Sequence, residues 1–266
     1  MNITIRHEQI NDYRIVEELT REAFWGAMSH PTCDGEHLLV HKLRTSPSFV
    51  PELDFVAEAD GILVGHIIYS KAKVVTADSR EIEVLTFGPL SVLPAYKRKG
   101  IGSALVRHSI ADARRLGYRA IVIYGHPDYY PRFGFGRGSD FGIASANGKS
   151  FDALMAMPLY DGALDDVRGR YVEDAVYDVD PQEAAAFDKS FPPKAPAVLT
   201  SVESVAAKLT PPMVAALAFH KMQYVSHLQT CSGAEILRWE GVGRPDLIQL
   251  NLLLKALGQP AKEFPA

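Results

Sequence analysis

Cysteine is scarce in this chain: Cys33 and Cys231 stand far apart and neither belongs to a CxxC pair. That excludes a disulfide scaffold and a structural zinc knuckle, and it suits a reducing compartment. Long hydrophobic runs are missing too, since no stretch of about 18 apolar residues occurs. The opening residues Met1 to His7 do not run from basic to apolar as a leader does, so a cytoplasmic location with no membrane partner is expected. Positive charge is not in excess: 28 Lys plus Arg face 32 Asp plus Glu, a net charge of -4. The whole molecule therefore has no attraction for nucleic acid, and any anion site must be built locally. Low complexity is absent as well. With 47% hydrophobic and 23% charged residues among 266, the chain can bury one large core or two smaller ones.

The first half alternates between the two hydrophobic periods. Ile3 and Ile5 alternate with polar neighbours as in a short strand, and Ile15, Val16, Leu19, Ala23 and Phe24 then repeat at helical spacing. A second helix is expected over Glu36 to Leu43. Leu53 to Ala59 and Ile62 to Val74 read as strands joined by Asp60-Gly61, a strong hairpin signal. Glu81 to Val92 is a further strand, interrupted at Gly88-Pro89 where a proline demands a bulge or a local break in pairing. From Ile101 to Leu116, Leu105, Val106, Ser109, Ile110 and Ala113 share one helical face, and Gly117 ends the helix before the apolar run Ala120 to Tyr124. Weaker strands are expected near Phe141 to Ser145 and Leu154 to Leu159.

The character changes beyond Leu159. Asp180-Pro181 starts a helix, Phe191 to Pro196 has a linker composition, Thr210-Pro211 and Ser232 to Glu235 carry capping signals, and the last helix, near Asp246 to Leu257, is apolar nearly all round. Such a helix is expected to be buried in its own chain or against a second copy.

The most informative stretch runs from Pro94 to Leu105. Lys97, Arg98 and Lys99 with Gly100 and Gly102 lie between a strand and the first turn of an amphipathic helix. Free backbone N–H groups and the positive end of the helix dipole favour an anion there, and phosphate is the natural guest. Two nucleotide motifs fail. The third glycine of GxGxxG is replaced by Leu105, and no Gly-Lys-Ser/Thr follows the turn.

Residues Leu90 to Leu105, followed by Tyr129-Tyr130-Pro131-Arg132-Phe133-Gly134-Phe135, resemble the Gcn5-related N-acetyltransferase superfamily and, within it, the YhbS-like branch of N-acetyltransferases. The signature Q/R-x-x-G-x-G/A is met with Lys97 at the Q/R position, and Y-x-x-x-G-F is met by Tyr130, Gly134 and Phe135. The resemblance covers about residues 1 to 165. It implies an α/β (α+β) fold with a mixed, mostly antiparallel sheet flanked by helices and split between its fourth and fifth strands, with acetyl-CoA as acyl donor in the opening. It further implies that Leu90, Ser91 and Val92 meet the pantetheine, that Lys97, Arg98, Lys99, Gly100, Ile101, Gly102 and Ser103 surround the pyrophosphate, and that Tyr130 is the general acid.

Many members use a strand glutamate as base acting through water, but Thr86 occupies that position here; Glu83, His126 and Asp128 are nearby candidates, and none is named. His37 and His41 with Cys33 and Asp34 make a weak metal pattern, and no metal is expected. The expected organisation is an acetyltransferase domain over 1–165, an extension and linker over 166–199, and a helical region over 200–266 that covers the first domain or makes a homodimer. The expected reaction is acetyl transfer to a primary amine of a small molecule or peptide. The rival reading is a non-catalytic acyl-CoA sensor or scaffold acting through its helical tail.

Overall fold

The computed structural model describes residues 2–27, 30–259 and 261–265. The chain forms two compact units, Met1–Ala23 with Asp34–Pro193, and Phe24–Cys33 with Lys194–Ala266.

The first unit is built on one nine-stranded sheet. Its strands are β1 (Ile3–His7), β2 (Phe55–Ala59), β3 (Ile62–Thr76), β4 (Glu81–Val92), β5 (Ala120–Tyr124), β6 (Gly136–Arg137), β7 (Ile143–Ser145), β8 (Leu154–Pro158) and β9 (Gly169–Val172). The main path is β1-β2-β3-β4-β5-β8-β6, and β9 joins β3 beside β7. Only β4 with β5 and β7 with β9 run parallel, so the sheet is mixed and mostly antiparallel as expected. The Asp60-Gly61 hairpin closes with Ala59 opposite Ile62, and both turn residues have positive φ, +50° and +83°, the backbone that a two-residue turn needs to follow strand twist.

Helices flank the sheet: α1 (Tyr13–Phe24), α2 (Glu36–Leu43), α3 (Ile101–Arg115) and α4 (Pro181–Asp188). The apolar stripe of α3, Leu105, Val106, Ile110 and Ala113, packs against Ile67, Tyr69, Leu85, Phe87, Ile121 and Ile123 on one sheet face. Alternation along β3 sends Ile68 to the other face, where Val16, Leu19, Leu39, Val40 and Leu43 of α1 and α2 cover it. Farther along that second face Ala72, Val74, Val84, Val122 and Tyr171 form another apolar cluster. Asp180 starts α4 as its sequence promised, accepting from the N–H groups of Gln182 (2.8 Å) and Glu183 (2.9 Å).

The second unit holds four short helices, α5 (Val202–Val205), α6 (Pro211–Phe219), α7 (Gly233–Ile236) and α8 (Arg244–Ala256), around Met213, Leu217, Leu228, Ile236, Leu247 and Leu250. Two expectations change here. Val214, Leu217, Ala218, Tyr224, Val225 and Leu228 have the spacing of one helical face after Thr210-Pro211, yet they do not make one helix, because α6 stops at Phe219 and Lys221 takes a positive φ of 55°; Val225 and Leu228 enter the core from a separate helical turn. Helix α8 is two-sided rather than buried all round. Leu247, Leu250, Leu253 and Leu254 are inside, while Ile248 and Leu252 are 51% and 58% exposed beside a groove of about 300 Å³. Among the described residues no helix is long and apolar enough to cross a membrane.

Candidate functional site

The sheet opens between β4 and β5. These strands share a single paired position, Leu85 with Ile121, and beyond it β4 follows β3 alone. The cause is local to β4: between Ile67–Leu90 and Tyr69–Phe87 the register slips by one residue, and the extra residue falls at Gly88-Pro89, whose peptide bond is cis. A bulge turns the strand and increases its twist. From Phe87 to Val92 the edge of β4 that faces β5 therefore has no strand partner among the described residues, which leaves backbone groups able to bond an extended amide chain.

The glycine turn sits at the mouth of this opening. Gly100, at φ +83°, is the residue before α3 and gives no side-chain cap, so the first N–H groups of α3 have no such partner. A Cβ on Gly102 would lie 3.3 Å from the Tyr129 hydroxyl, 3.6 Å from Val92 Cγ2 and 3.9 Å from Leu90 Cδ2. Glycine thus lets the turn, the splayed strand and the tyrosine pair converge. Gly102→Val, whose γ carbons reach farther than that Cβ, should weaken CoA binding at least about tenfold in calorimetry while the thermal transition changes little.

The cations of the turn divide their tasks. Lys97 sends Nζ to the Ala23 carbonyl on α1 (3.0 Å), where burial of its head group lowers the ammonium pKa. Lys99 lies over the Tyr96 ring at 4.9 Å and stays exposed, and Arg98 holds a positive φ of 63°. Ile101 contributes its side chain to the core. Ser91 points away from the turn and donates to Thr20 Oγ1 (3.0 Å), so only its backbone belongs to the strand edge.

Tyr130 fills the inner part of the opening. Its ring contacts Phe87 (5.7 Å between centroids), Phe135 (5.6 Å) and Tyr129 (5.1 Å), with Gly125 beneath it. Burial raises the phenol pKa above its ordinary value, with Tyr129 adding to the rise, so the hydroxyl is protonated at neutral pH. Among the described residues it has no hydrogen-bond partner, which leaves its proton available. Tyr129 is the residue that motif reading passed over: its hydroxyl lies 3.3 Å from Ser103 Oγ, tying the tyrosine pair to the first turn of α3.

The base candidates are scattered. Glu83 is paired with Lys71 (3.1 Å) at an exposed edge, Asp128 is exposed, and His126 Nδ1 takes the Asp128 N–H. Thr86 is buried on the face opposite α3, the face that carries Tyr171. The histidines of α2 are engaged separately, His41 with Glu17 (2.9 Å) and His37 among Phe187, Phe191 and Asp188. The one trio of metal-type ligand atoms among the described residues is Glu8, Asp54 and His66, and there Arg44 already bonds both oxygens of Glu8 while His66 bonds Asp54 (2.8 Å). Burial pushes Glu8 up to about 7 and His66 down to about 4, which favours their neutral forms.

Comparison with known proteins bears on the same stretch of chain. Residues 15–135 fit the profile of the acetyltransferase (GNAT) family. They form a GNAT-family acetyltransferase domain. The chain is 37% identical over 98 residues to the uncharacterized N-acetyltransferase YjhQ of Escherichia coli K12, a match over 36% of this chain and about half, 53%, of that protein. Among solved structures it resembles the E. coli GNAT-family N-acetyltransferase YhbS in complex with CoA (TM-score 0.59, 26% identity, 67% of this chain and 93% of that one). It also resembles a GNAT-family acetyltransferase of Brucella melitensis in complex with acetyl-CoA (TM-score 0.53, 28% identity, 66% and 98%). The GNAT signature thus coincides with the splayed strands, and the helices of residues 200–266 lie outside the matched profile.

Proposed function

We propose that the chain transfers an acetyl group from acetyl-CoA to a primary amine of a small molecule or peptide by direct attack. The observation that carries this reading is the opening between β4 and β5, which joins an unpaired strand edge, the glycine turn of α3 and a protonated Tyr130. The pantetheine amides would bond the β4 edge at Leu90 to Val92, and the pyrophosphate would meet the backbone from Arg98 to Ser103 with Lys99 near its charge. These contacts fix the thioester beside Tyr130 and lower the entropy cost of the encounter.

The amine nitrogen then forms a bond to the acetyl carbonyl carbon, the C–S bond breaks, and the departing thiolate takes the Tyr130 hydroxyl proton. The nitrogen gives up a proton as it attacks. Neither Cys33 nor Cys231 lies in the transfer motif, which favours direct attack over an acyl-cysteine route. The CoA and acetyl-CoA complexes of the YhbS and Brucella proteins support the donor assignment.

The test is acetyl-CoA-dependent thiol release with a broad amine panel; acetyl-CoA binding without release from any amine would instead favour the sensor reading. We further place the protein in the cytoplasm as a homodimer joined through its C-terminal helices. The exposed Ile248 and Leu252 of α8 support that contact. Light scattering should give twice the chain mass, and I248D/L252D should halve it.

A further inference from the structure

The acetyl-transfer reading leaves the attacking nitrogen's proton without a destination, since Thr86 has no basic group and Glu83 is tied to Lys71 at the edge. The sheet register brings another carboxylate to the second face. Strand β9 pairs with β3 so that Tyr171 lies opposite Val74 and Val172 opposite Lys73; continuing the register sets Glu173 beside Ala72, on the same face as Tyr171, Val84 and Thr86. Tyr171 Oη donates to Glu173 Oε1 (3.1 Å). The Tyr171 hydroxyl thus holds this carboxylate in place.

Tyrosines lie near Glu173. Tyr124, at the end of β5, packs edge-on against Tyr171 (5.5 Å between centroids) and stacks on Phe151 (5.7 Å). Tyr177 bonds Ser70 (3.0 Å). Tyr124, Tyr171 and Tyr177 each feel the Glu173 charge, and Asp174 is the acidic neighbour in sequence that also acts on Tyr177. Among the described residues no lysine, arginine or histidine pairs with Glu173. It is half-buried, and burial raises its carboxyl pKa against the opposing effect of the Tyr171 hydrogen bond. A half-buried carboxylate that no cation pairs with among the described residues, with tyrosines close by, suits an ammonium group.

We propose that Glu173 binds the protonated amine of a cationic alkylamine acceptor and takes one of its protons to free the attacking pair, so that the base comes from the end of β9 rather than from β4. The inference rests on the acetyl-transfer reading above. One ammonium N–H bond breaks with its pair left on nitrogen and that proton moves to the free oxygen of Glu173; the pair then forms the C–N bond, the C–S bond breaks as Tyr130 protonates the sulfur, and the second nitrogen proton lost in forming the amide returns to the Tyr130 phenolate. Tyr171 is a positioning residue that fixes the carboxylate. A raised carboxyl pKa narrows the gap to an alkylammonium near 10.4 and so favours the transfer.

The experiment compares the wild-type protein with Glu173→Gln, Glu173→Asp and Tyr171→Phe. Acetyl-CoA affinity is measured by calorimetry, and thiol release with short alkyl diamines, lysine and lysine-containing peptides is followed against pH. The wild type should show a rising limb above the ordinary carboxylate range. Glu173→Gln should lose about 100-fold or more in kcat/KM together with that limb, with acetyl-CoA affinity within about twofold. Glu173→Asp should recover part of the rate. Tyr171→Phe removes the hydrogen bond that favours the charged carboxylate, so its limb should move to higher pH. Turnover of Glu173→Gln within about threefold of wild type with an unchanged limb overturns the assignment and leaves acetyl transfer standing. A wild-type protein that binds acetyl-CoA but releases thiol with no amine rejects the transferase reading itself.

Discussion

Tyr130→Phe should lower kcat by about 100-fold or more and leave acetyl-CoA affinity within about twofold of wild type. The ring is held by Phe87, Phe135, Phe133 and Tyr129, so a phenylalanine keeps all of that packing and removes one hydroxyl. That hydroxyl has no hydrogen-bond partner among the described residues, so its loss strands no neighbour. Stability should hence change by less than about 1 kcal/mol, and the defect should lie in turnover. Because burial raises the phenol pKa, the wild-type rate should show no fall from loss of this proton below about pH 10. A falling limb near pH 8 that survives in Tyr130→Phe belongs to another group, and unchanged kcat in that variant removes the acid assignment.

The second large effect is expected at a residue with no chemistry of its own. In Gly125→Ala the new methyl would stand 2.5 Å and 2.6 Å from Tyr130 Cδ2 and Cε2 and 2.9 Å from Ile123 Cδ1. Carbon atoms do not approach so closely, and the aromatic cluster on the far side leaves the ring little room to retreat. The hydroxyl must shift by about an ångström, which costs about 100-fold in rate when the group is catalytic. Overpacking should also lower stability by about 1 to 3 kcal/mol, visible in a denaturant titration. The double variant Gly125→Ala/Tyr130→Phe supplies the check. If the alanine acts by misplacing the hydroxyl, the double variant should be no slower than Tyr130→Phe alone, whereas multiplied losses would show that the alanine acts elsewhere.

The parts of the site that could be read from the sequence are those whose geometry is set by neighbours in the chain. Asp60-Gly61 dictates its hairpin, the α3 stripe from Leu105 to Ala113 declares its buried face, and Gly100 and Gly102 mark a turn that only small residues can make. Gly88-Pro89 marks the break in β4 for the same reason. Strand β9 carries no such signal: its four residues hold no clear alternation, and pairing with β3 about 100 positions earlier is decided by tertiary packing. Tyr171 and Glu173 therefore could not be placed beside Thr86 by reading along the chain. The same limit explains α8, where Ile248 and Leu252 look as apolar as Leu247 and Leu250, and only the packed helix distinguishes the inner from the outer face. At α6 a single backbone reversal at Lys221 ends a periodicity that composition alone would have continued.

The second unit takes Phe24–Cys33 from early in the chain and Lys194–Ala266 from far downstream, joined by such bonds as Ala197 N–H to the Pro31 carbonyl (2.6 Å) and Trp25 Nε1 to the Ala195 carbonyl (3.2 Å). During synthesis, residues 24–33 leave the ribosome more than 150 residues before their partners, a wait of about 8 to 30 seconds at ordinary elongation rates of about 5 to 20 residues per second. As Asp34–Pro193 emerges, the first unit can assemble while Phe24–Cys33 waits for its partners in the second. A circular permutant opened at Asp34 would synthesise Phe24–Cys33 soon after Lys194–Ala266 and so remove most of that delay.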